Sequence, residues 1–343
     1  MTTIALDAMG ADEGVTPLVT GAAQLSLEDL PLEVRLVGDR DAIQKVLDAT
    51  DHDPKKLSVV HAPTALAMTD KPGDALDQHP DCSILRACDV VKAREADVLV
   101  SAGNTGGVIL AASRRFERLE GVRRVGLAAV HPTVERHGPK GDPFALMLDV
   151  GATLHCEASD LVAFAVMGSA YSRIISDIEA PRVGLLSNGS EPGKGTKAII
   201  EAHQRLANLG RLAFAGNVEG LDIPKGSVDV VVTEGFVGNI VLKMLEGVGE
   251  VAKELARAAY GEKLRYKIAL GMLAGGIRKV KNLTDWKQYG GAPIVGFDHL
   301  VIKAHGRSNA RAVRNAIKVA AKTVERKLSE QIREDLASGV LQR

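Results

Sequence analysis

Ten short runs of β-branched and aliphatic residues recur along this chain, and between them lie longer segments with apolar residues at three- and four-residue intervals. The short runs have the length of buried strands, and the three-to-four spacing is the period of a helix with one apolar face. Their alternation confines the chain to an α/β fold with a largely parallel sheet, because neighbouring parallel strands need a crossover and an amphipathic helix supplies it. The expected strands are Thr3–Asp7, Val34–Gly38, Leu57–His61, Asp97–Ser101, Val125–Val130, Ala145–Val150, Val183–Ser187, Leu212–Gly216, Val228–Thr233 and Leu300–Lys303. The strongest helices are Cys82–Glu95, Thr105–Phe116, Ala158–Ile175, Lys194–Asn208 and Ser308–Lys327. Neither a repeat nor a low-complexity linker interrupts the series, so residues 1–343 read as one α/β domain of one or two lobes.

One stretch breaks the alternation. Residues 238–283 are helix-like with no strand among them, longer than a crossover helix needs, which predicts a projecting helical hairpin. Its distal part is rich in Lys and Arg, from Arg257 to Lys287, around the apolar tract Ile268-Ala269-Leu270-Gly271-Met272-Leu273-Ala274. That pattern fits a tip lying on an anionic membrane surface, and it fits equally a dimer-interface hairpin with a solvated basic face.

Lys194 follows the strand Val183–Ser187 in the run Asn188-Gly189-Ser190-Glu191-Pro192-Gly193-Lys194-Gly195-Thr196. A P-loop needs four residues between its first glycine and the Gly-Lys pair, with a hydroxyl residue directly after the lysine. Here three residues intervene and Gly195 displaces Thr196, so the run suggests phosphate handling without an NTPase. Other strand ends carry small-residue turns, notably Ser101-Ala102-Gly103-Asn104-Thr105-Gly106-Gly107, Asp149 to Thr153, Gly216 to Gly220, Glu234 to Asn239 and His305 to Ser308. Strand ends are where open parallel sheets bind ligands, and such turns aim backbone N–H groups at anions. Each alone is also an ordinary capped turn.

Several chemistries are poorly supported. There is no Gly-x-Gly-x-x-Gly after the first strand, no His-Glu-x-x-His and no Gly-x-Ser-x-Gly, so no cofactor and no metal are expected. Cys82, Cys88 and Cys156 form no Cys-x-x-Cys pair. Forty-three basic residues balance 43 acidic ones and aromatics make up 3%, a poor basis for nucleic-acid binding. No apolar stretch reaches the roughly 18 residues of a membrane span and no signal-like segment opens the chain, so a cytoplasmic location is expected.

Taken in order, Ala5-Leu6-Asp7-Ala8-Met9-Gly10, Ser101 to Gly106, Gly216-Asn217-Val218-Glu219-Gly220, Tyr289-Gly290-Gly291-Ala292-Pro293 and Lys303-Ala304-His305-Gly306 closely resemble the bacterial phosphate acyltransferases of phospholipid synthesis, the PlsX family. The resemblance spans nearly the full length. It implies a three-layer α/β/α fold similar to phosphate acetyltransferases and isocitrate dehydrogenases. It implies attack of inorganic phosphate on the thioester of a long-chain acyl carrier protein, giving acyl phosphate. It also implies a homodimer and peripheral membrane attachment through the hairpin, near the downstream glycerol-3-phosphate acyltransferase.

By the same resemblance Lys194, in Glu191 to Gly195, is the catalytic cation, and Glu234 is the catalytic carboxylate that orients Lys194 or relays a proton to the departing thiolate. A lysine opening the helix Lys194–Asn208 would oppose the helix dipole, which also argues for a functional role. Ser101, Gly103, Asn104, Thr105, Gly106, Asn239, His305, Gly306 and Ser308 are the expected phosphate- and substrate-binding positions. Three positions depart from the family pattern: Glu234 replaces an Asp, Thr153 stands where Asn is usual, and Pro192-Gly193 replaces a more polar pair. The acidic carrier protein would dock on a basic face, either Arg114, Arg115, Arg118, Arg123 and Arg124 or Arg307, Arg311 and Arg314. Two other functions share these features: a short-chain phosphate acetyl- or butyryltransferase using coenzyme A, and a catalytically silent lipid-binding scaffold.

Overall fold

The computed structural model describes residues 1–262, 271–273, 275–276 and 291–338. In chain order the elements are β1 (Thr2–Asp7), α1 (Val15–Ser26), β2 (Leu32–Gly38), α2 (Arg40–Asp48), β3 (Leu57–His61), α3 (Pro72–Gln78), α4 (Ser83–Lys92), β4 (Val98–Ser101), α5 (Thr105–Arg115), β5 (Gly126–His137) and β6 (Asp142–Leu148). They continue with α6 (Ala158–Ile175), β7 (Arg182–Leu186), α7 (Lys197–Ala207), β8 (Ala213–Val218), α8 (Asp222–Lys225), β9 (Val230–Val232), α9 (Gly235–Glu262), β10 (Ala292–Val295), β11 (Leu300–Lys303), α10 (Ala310–Glu325) and α11 (Leu328–Ala337).

All eleven strands join one sheet in the order β3-β2-β1-β4-β11-β10-β5-β6-β9-β7-β8. Strands β3, β2, β1, β4 and β11 run parallel, and so do β6, β9, β7 and β8. Between these blocks β10 is antiparallel to both β11 and β5, and β5 is antiparallel to β6, so the two blocks point in opposite directions. Alternate side chains along each strand feed opposite faces, as a period of two requires. Ala5, Leu99, Met147, Val231 and Val301 enter one core that crosses the whole sheet. Ile4, Leu6, Val98 and Val100 face a second core with α1 and α10, and Leu146, Leu148, Val230 and Val232 face a third with α6 and α11. Helices thus cover both faces, the three-layer α/β/α arrangement expected.

Several boundaries differ from the sequence expectation for identifiable reasons. Strand β10 is four residues long and contains Pro293, which lacks an N–H and breaks the apolar run. Strands β5 and β6 extend beyond the apolar core as a hairpin arm whose outer residues mix polar side chains with Pro132, Val134, Pro143 and Phe144. The helix after β7 begins at Lys197, with Thr196 as N-cap accepting from the Ile199 N–H, so Lys194 precedes it and does not open it. Helix α9 covers the beginning of the expected 238–283 segment, and at 28 residues it is about 42 Å long. Val237, Ile240, Met244, Val248, Val251 and Leu255 form an exposed apolar stripe along it, spaced by three or four residues. Most of the rest of the segment, including Ile268, Leu270 and the basic positions from Lys263 to Lys267, lies outside the described residues, while Met272 and Leu273 are exposed.

Candidate active site

The first cluster forms where β1, β4 and β11 end. Asp7, Ser101 and Lys303 are the last residues of those strands and pair in register, so their side chains leave the sheet on the same face. The Ser101 hydroxyl donates to Asp7 Oδ2 at 2.7 Å and accepts from the Gly103 N–H at 3.1 Å. Position 10 must be glycine: a Cβ there would lie 2.7 Å from Asp7 Oδ2 and 2.9 Å from the Gly103 backbone. Burial pushes the Asp7 carboxyl up, against hydrogen bonds from Ser101 and Ser83 that hold it down. Asn104 caps α5, its Oδ1 accepting from the Gly107 N–H at 3.1 Å, and its amide donates to the Met68 carbonyl at 2.9 Å. Thr105 and Gly106 form the first turn of that helix. Gly306 accepts from the Asp12 N–H at 3.0 Å and its open side faces the Asp12 carboxylate. Partial desolvation of the His305 ring, followed by the cations Lys243 and Lys303, pushes its pKa down.

The second cluster forms where β6, β9 and β7 end. Asp149 follows β6 and is fully buried. Its Oδ1 accepts from the N–H groups of Leu127, Gly151 and Ala152 at 2.9–3.0 Å, and Oδ2 from the N–H and hydroxyl of Thr153, both at 2.8 Å. Burial pushes this carboxyl up, opposed by those bonds. Thr153 Oγ in turn accepts from the Gly235 N–H at 2.9 Å, the first residue of α9. Glu234 directly precedes it, so its backbone is pinned to the end of β6 through Thr153. The helix then passes so close that a Cβ at Gly238 would stand 1.9 Å from the Asp149 carbonyl oxygen, which only glycine permits. Asn239 is exposed beside Gly151.

Lys194 lies on the exposed loop after β7, the parallel neighbour of β9. Asn217 at the end of β8 ties that loop down, its amide donating to the Glu191 carbonyl at 2.8 Å while its oxygen meets His203 Nδ1 at 3.0 Å. That explains the Gly216–Gly220 motif as a brace for the lysine loop. No ion pair among the described residues includes Lys194 or Glu234. Both remain available to a ligand.

The two clusters share one face of the sheet. Asp149 bonds to Leu127, which pairs through Ile294 with Val301, two residues below Lys303. Three strand spacings separate β11 from β6, about 14 Å. Helix α9 packs Val241, Leu242 and Leu245 onto this face. Eight residues beyond Gly235, about 12 Å along the helix, Lys243 comes within electrostatic range of His305. Lys194, Glu234 and Asn239 thus stand at one group of strand ends and Ser101 to Gly106 and His305 to Ser308 at the other, with α9 running from the first toward the second on the same face.

A family model described as "Fatty acid synthesis protein" matches residues 2–331. The chain belongs to that family. Relatives of the family include the "Phosphate acyltransferase" of Elusimicrobium minutum, 41% identical over 97% of this chain and 96% of its own, and that of Thermosynechococcus vestitus, 40% identical over 96% and 94%. Among solved structures, a phosphotransacetylase from Streptococcus pyogenes superposes with a TM-score of 0.60 over 94% of both chains at 18% identity, a likeness of fold.

In this member of the family Ser101, Gly103 and Asn104 make bonds within the protein, so they shape the first cluster. Sequence inspection singled out neither Asp7 nor Asp149, nor Lys303. All three stand at or directly after a strand end before a small-residue turn, which is the signal available for them. The Thr153 departure has a structural role, because a hydroxyl at that position joins Asp149 to the start of α9.

Proposed function

We propose that this chain moves a long-chain fatty acyl group from acyl carrier protein to inorganic phosphate, releasing acyl phosphate and the carrier's free thiol. Membership of the family and relatives named phosphate acyltransferase support the acyl transfer to phosphate. The observation that carries the mechanism is Lys194, an exposed ammonium outside every ion pair of the described residues, on a braced loop at the strand end neighbouring that of Glu234.

Phosphate is itself a nucleophile and a thiolate leaves readily, so the protein has to align the two and stabilise charge growing on the carbonyl oxygen. Lys194 supplies that charge. Glu234 orients the lysine or hands a proton to the departing thiolate. A cysteine nucleophile is a poor alternative: Cys156, beside Thr153, is pushed by burial up to about 12 and keeps its proton.

The acidic carrier docks on Arg307 and Arg311, which enter no ion pair among the described residues. Arg114, Arg115 and Arg123 are less suited, since they already pair with Asp77, Asp89 and Asp160. The apolar stripe on α9 supports a homodimer, and exposed Met272 and Leu273 support peripheral membrane contact. No helix among the described residues is long and apolar enough to cross a membrane. The test supplies long-chain acyl carrier protein, and separately long-chain and short-chain acyl coenzyme A, with and without phosphate, and measures free thiol. Phosphate-dependent release favouring the long-chain carrier supports the proposal; release without phosphate, or from short-chain coenzyme A alone, rejects it.

A further inference from the structure

Lys303 has no part in the mechanism above. It is only 8% exposed, yet among the described residues no carboxylate lies within ion-pair distance of its ammonium, and one of its three N–H groups is spent on the Ala304 carbonyl. Asp7 and Asp12 act on it from farther away. The Asp7 oxygens are committed to Ser101 and Ser83 and to the Met9 N–H, and Asp12 stands across Gly306. Five residues on, the Ser308 hydroxyl is fully buried without a hydrogen-bond partner among the described residues. An unpaired buried charge and an orphaned hydroxyl are both costly, and both are relieved by a bound anion. Further cations act on the neighbouring His305 ring from α9 and from the β11–α10 loop. The ring feels Lys243 from α9, which pairs with Glu246 at 2.8 Å, and Lys303 and Arg307 from the β11–α10 loop.

We propose that Lys303, Lys243 and the Ser308 hydroxyl form a second phosphate-recognising site, separate from the Lys194 loop. The inference rests on the acyl-transfer function proposed above. That reaction brings two groups of the required chemistry to the protein: the attacking inorganic phosphate, and the phosphodiester joining the carrier protein to its thiol-bearing arm. The roughly 14 Å between the clusters suits an elongated donor whose thioester lies at Lys194 while its phosphodiester lies at Lys303. Lys303 also makes the site responsive to its ligand. Burial pushes its pKa down to about 8, so a fraction of the amine is neutral just above physiological pH. An arriving phosphate restores the charge and is accompanied by proton uptake.

Three measurements on the full chain test this: calorimetric titration with inorganic phosphate alone, steady-state constants for phosphate and for acyl carrier protein, and thermal melting. They compare the wild type with Lys303→Met and Lys243→Gln. Lys303→Met should melt at or above the wild-type temperature, because it removes a buried charge without a close carboxylate. It should weaken one phosphate-bearing ligand by roughly thirty-fold or more. Lys243→Gln, at an exposed position, should weaken the same ligand by about three-fold. Loss of calorimetric phosphate affinity with an unchanged carrier constant assigns the site to inorganic phosphate. The reverse assigns it to the phosphodiester, and loss of both places it where the two meet. Constants for both ligands within about two-fold of wild type in Lys303→Met overturn the proposal, as does a lowered melting temperature with binding intact. If Lys303→Met does not fold, Lys243→Gln decides alone, and unchanged constants overturn the proposal. Wild-type thiol release tests the acyl-transfer function independently of either variant.

Discussion

Thr153→Val replaces a hydroxyl by a methyl at nearly constant shape and so isolates one atom. That oxygen donates to Asp149 Oδ2 at 2.8 Å, accepts from the Gly235 N–H at 2.9 Å and lies 3.2 Å from Cys156 Sγ. Because the Cys156 thiol keeps its proton, it is the donor in the last contact, and the one proton and two lone pairs of the hydroxyl are all in use. Valine serves none of these partners. The buried Gly235 N–H is left without its acceptor, at about 1–3 kcal/mol, and the bond to the Asp149 carboxylate is lost, at about 1.5–3 kcal/mol. A total near 4 kcal/mol, set against an unfolding entropy of roughly 2.1 cal/mol/K per residue over 343 residues, lowers the melting temperature by about 5 °C. Turnover should fall too, because the Gly235 anchor also fixes the backbone of Glu234. Thr153→Ser keeps the oxygen and loses one methyl, so it should cost less than about 1.5 kcal/mol. Melting by circular dichroism, beside thiol-release kinetics, separates the pair. Equal melting temperatures for the Val and Ser variants would refute the role given to this oxygen.

Glu234→Asp should keep turnover within about ten-fold of wild type, whereas Glu234→Gln should lose roughly a hundred-fold or more at an unchanged melting temperature. Both are read from initial rates with saturating phosphate. Asp177 joins the β5–β6 arm to the end of α10, accepting from Lys140 and Arg326, which hold its carboxyl down at about 2. Its folded pKa is depressed, so its contribution is present above the ordinary carboxylate range and is lost as pH falls through about 2. Acid-unfolding curves of wild type and Asp177→Asn should therefore differ by a constant amount near neutral pH and converge across that window. Leu273→Asp should reduce sedimentation with anionic liposomes while leaving thiol release in solution unchanged, and unchanged sedimentation would count against membrane contact by this segment.

The parallel blocks were legible because their strands are buried on both faces and therefore read as continuous apolar runs, such as Val98-Leu99-Val100. Helix α6 was legible to the residue, Ala158–Ile175, because its apolar spacing persists over 18 positions. The centre of the sheet was not. Strand β10 is short and proline-containing, and nothing local in the sequence states that β10 and β5 run against their neighbours, since direction is a property of the connections. The site was legible in the same uneven way. Small-residue turns marked the strand ends, but the carboxylates that organise them, Asp7 and Asp149, are single acids whose meaning depends on long-range bonds, to Ser101 and to Leu127. Lys194 was found from its loop, yet the helix it was expected to open starts three residues later. Its case therefore rests on exposure, the brace from Asn217 and the neighbouring Glu234, and the helix dipole has no part in it.

The most direct measurement of the central claim is the rate of acyl phosphate formation, followed by phosphorus NMR beside thiol release, with long-chain acyl carrier protein and phosphate. Wild type should form acyl phosphate in step with free thiol, and Lys194→Ala should be slower by roughly a hundred-fold or more at an unchanged melting temperature. Thiol released without acyl phosphate, or a Lys194→Ala variant working at the wild-type rate, would contradict the account.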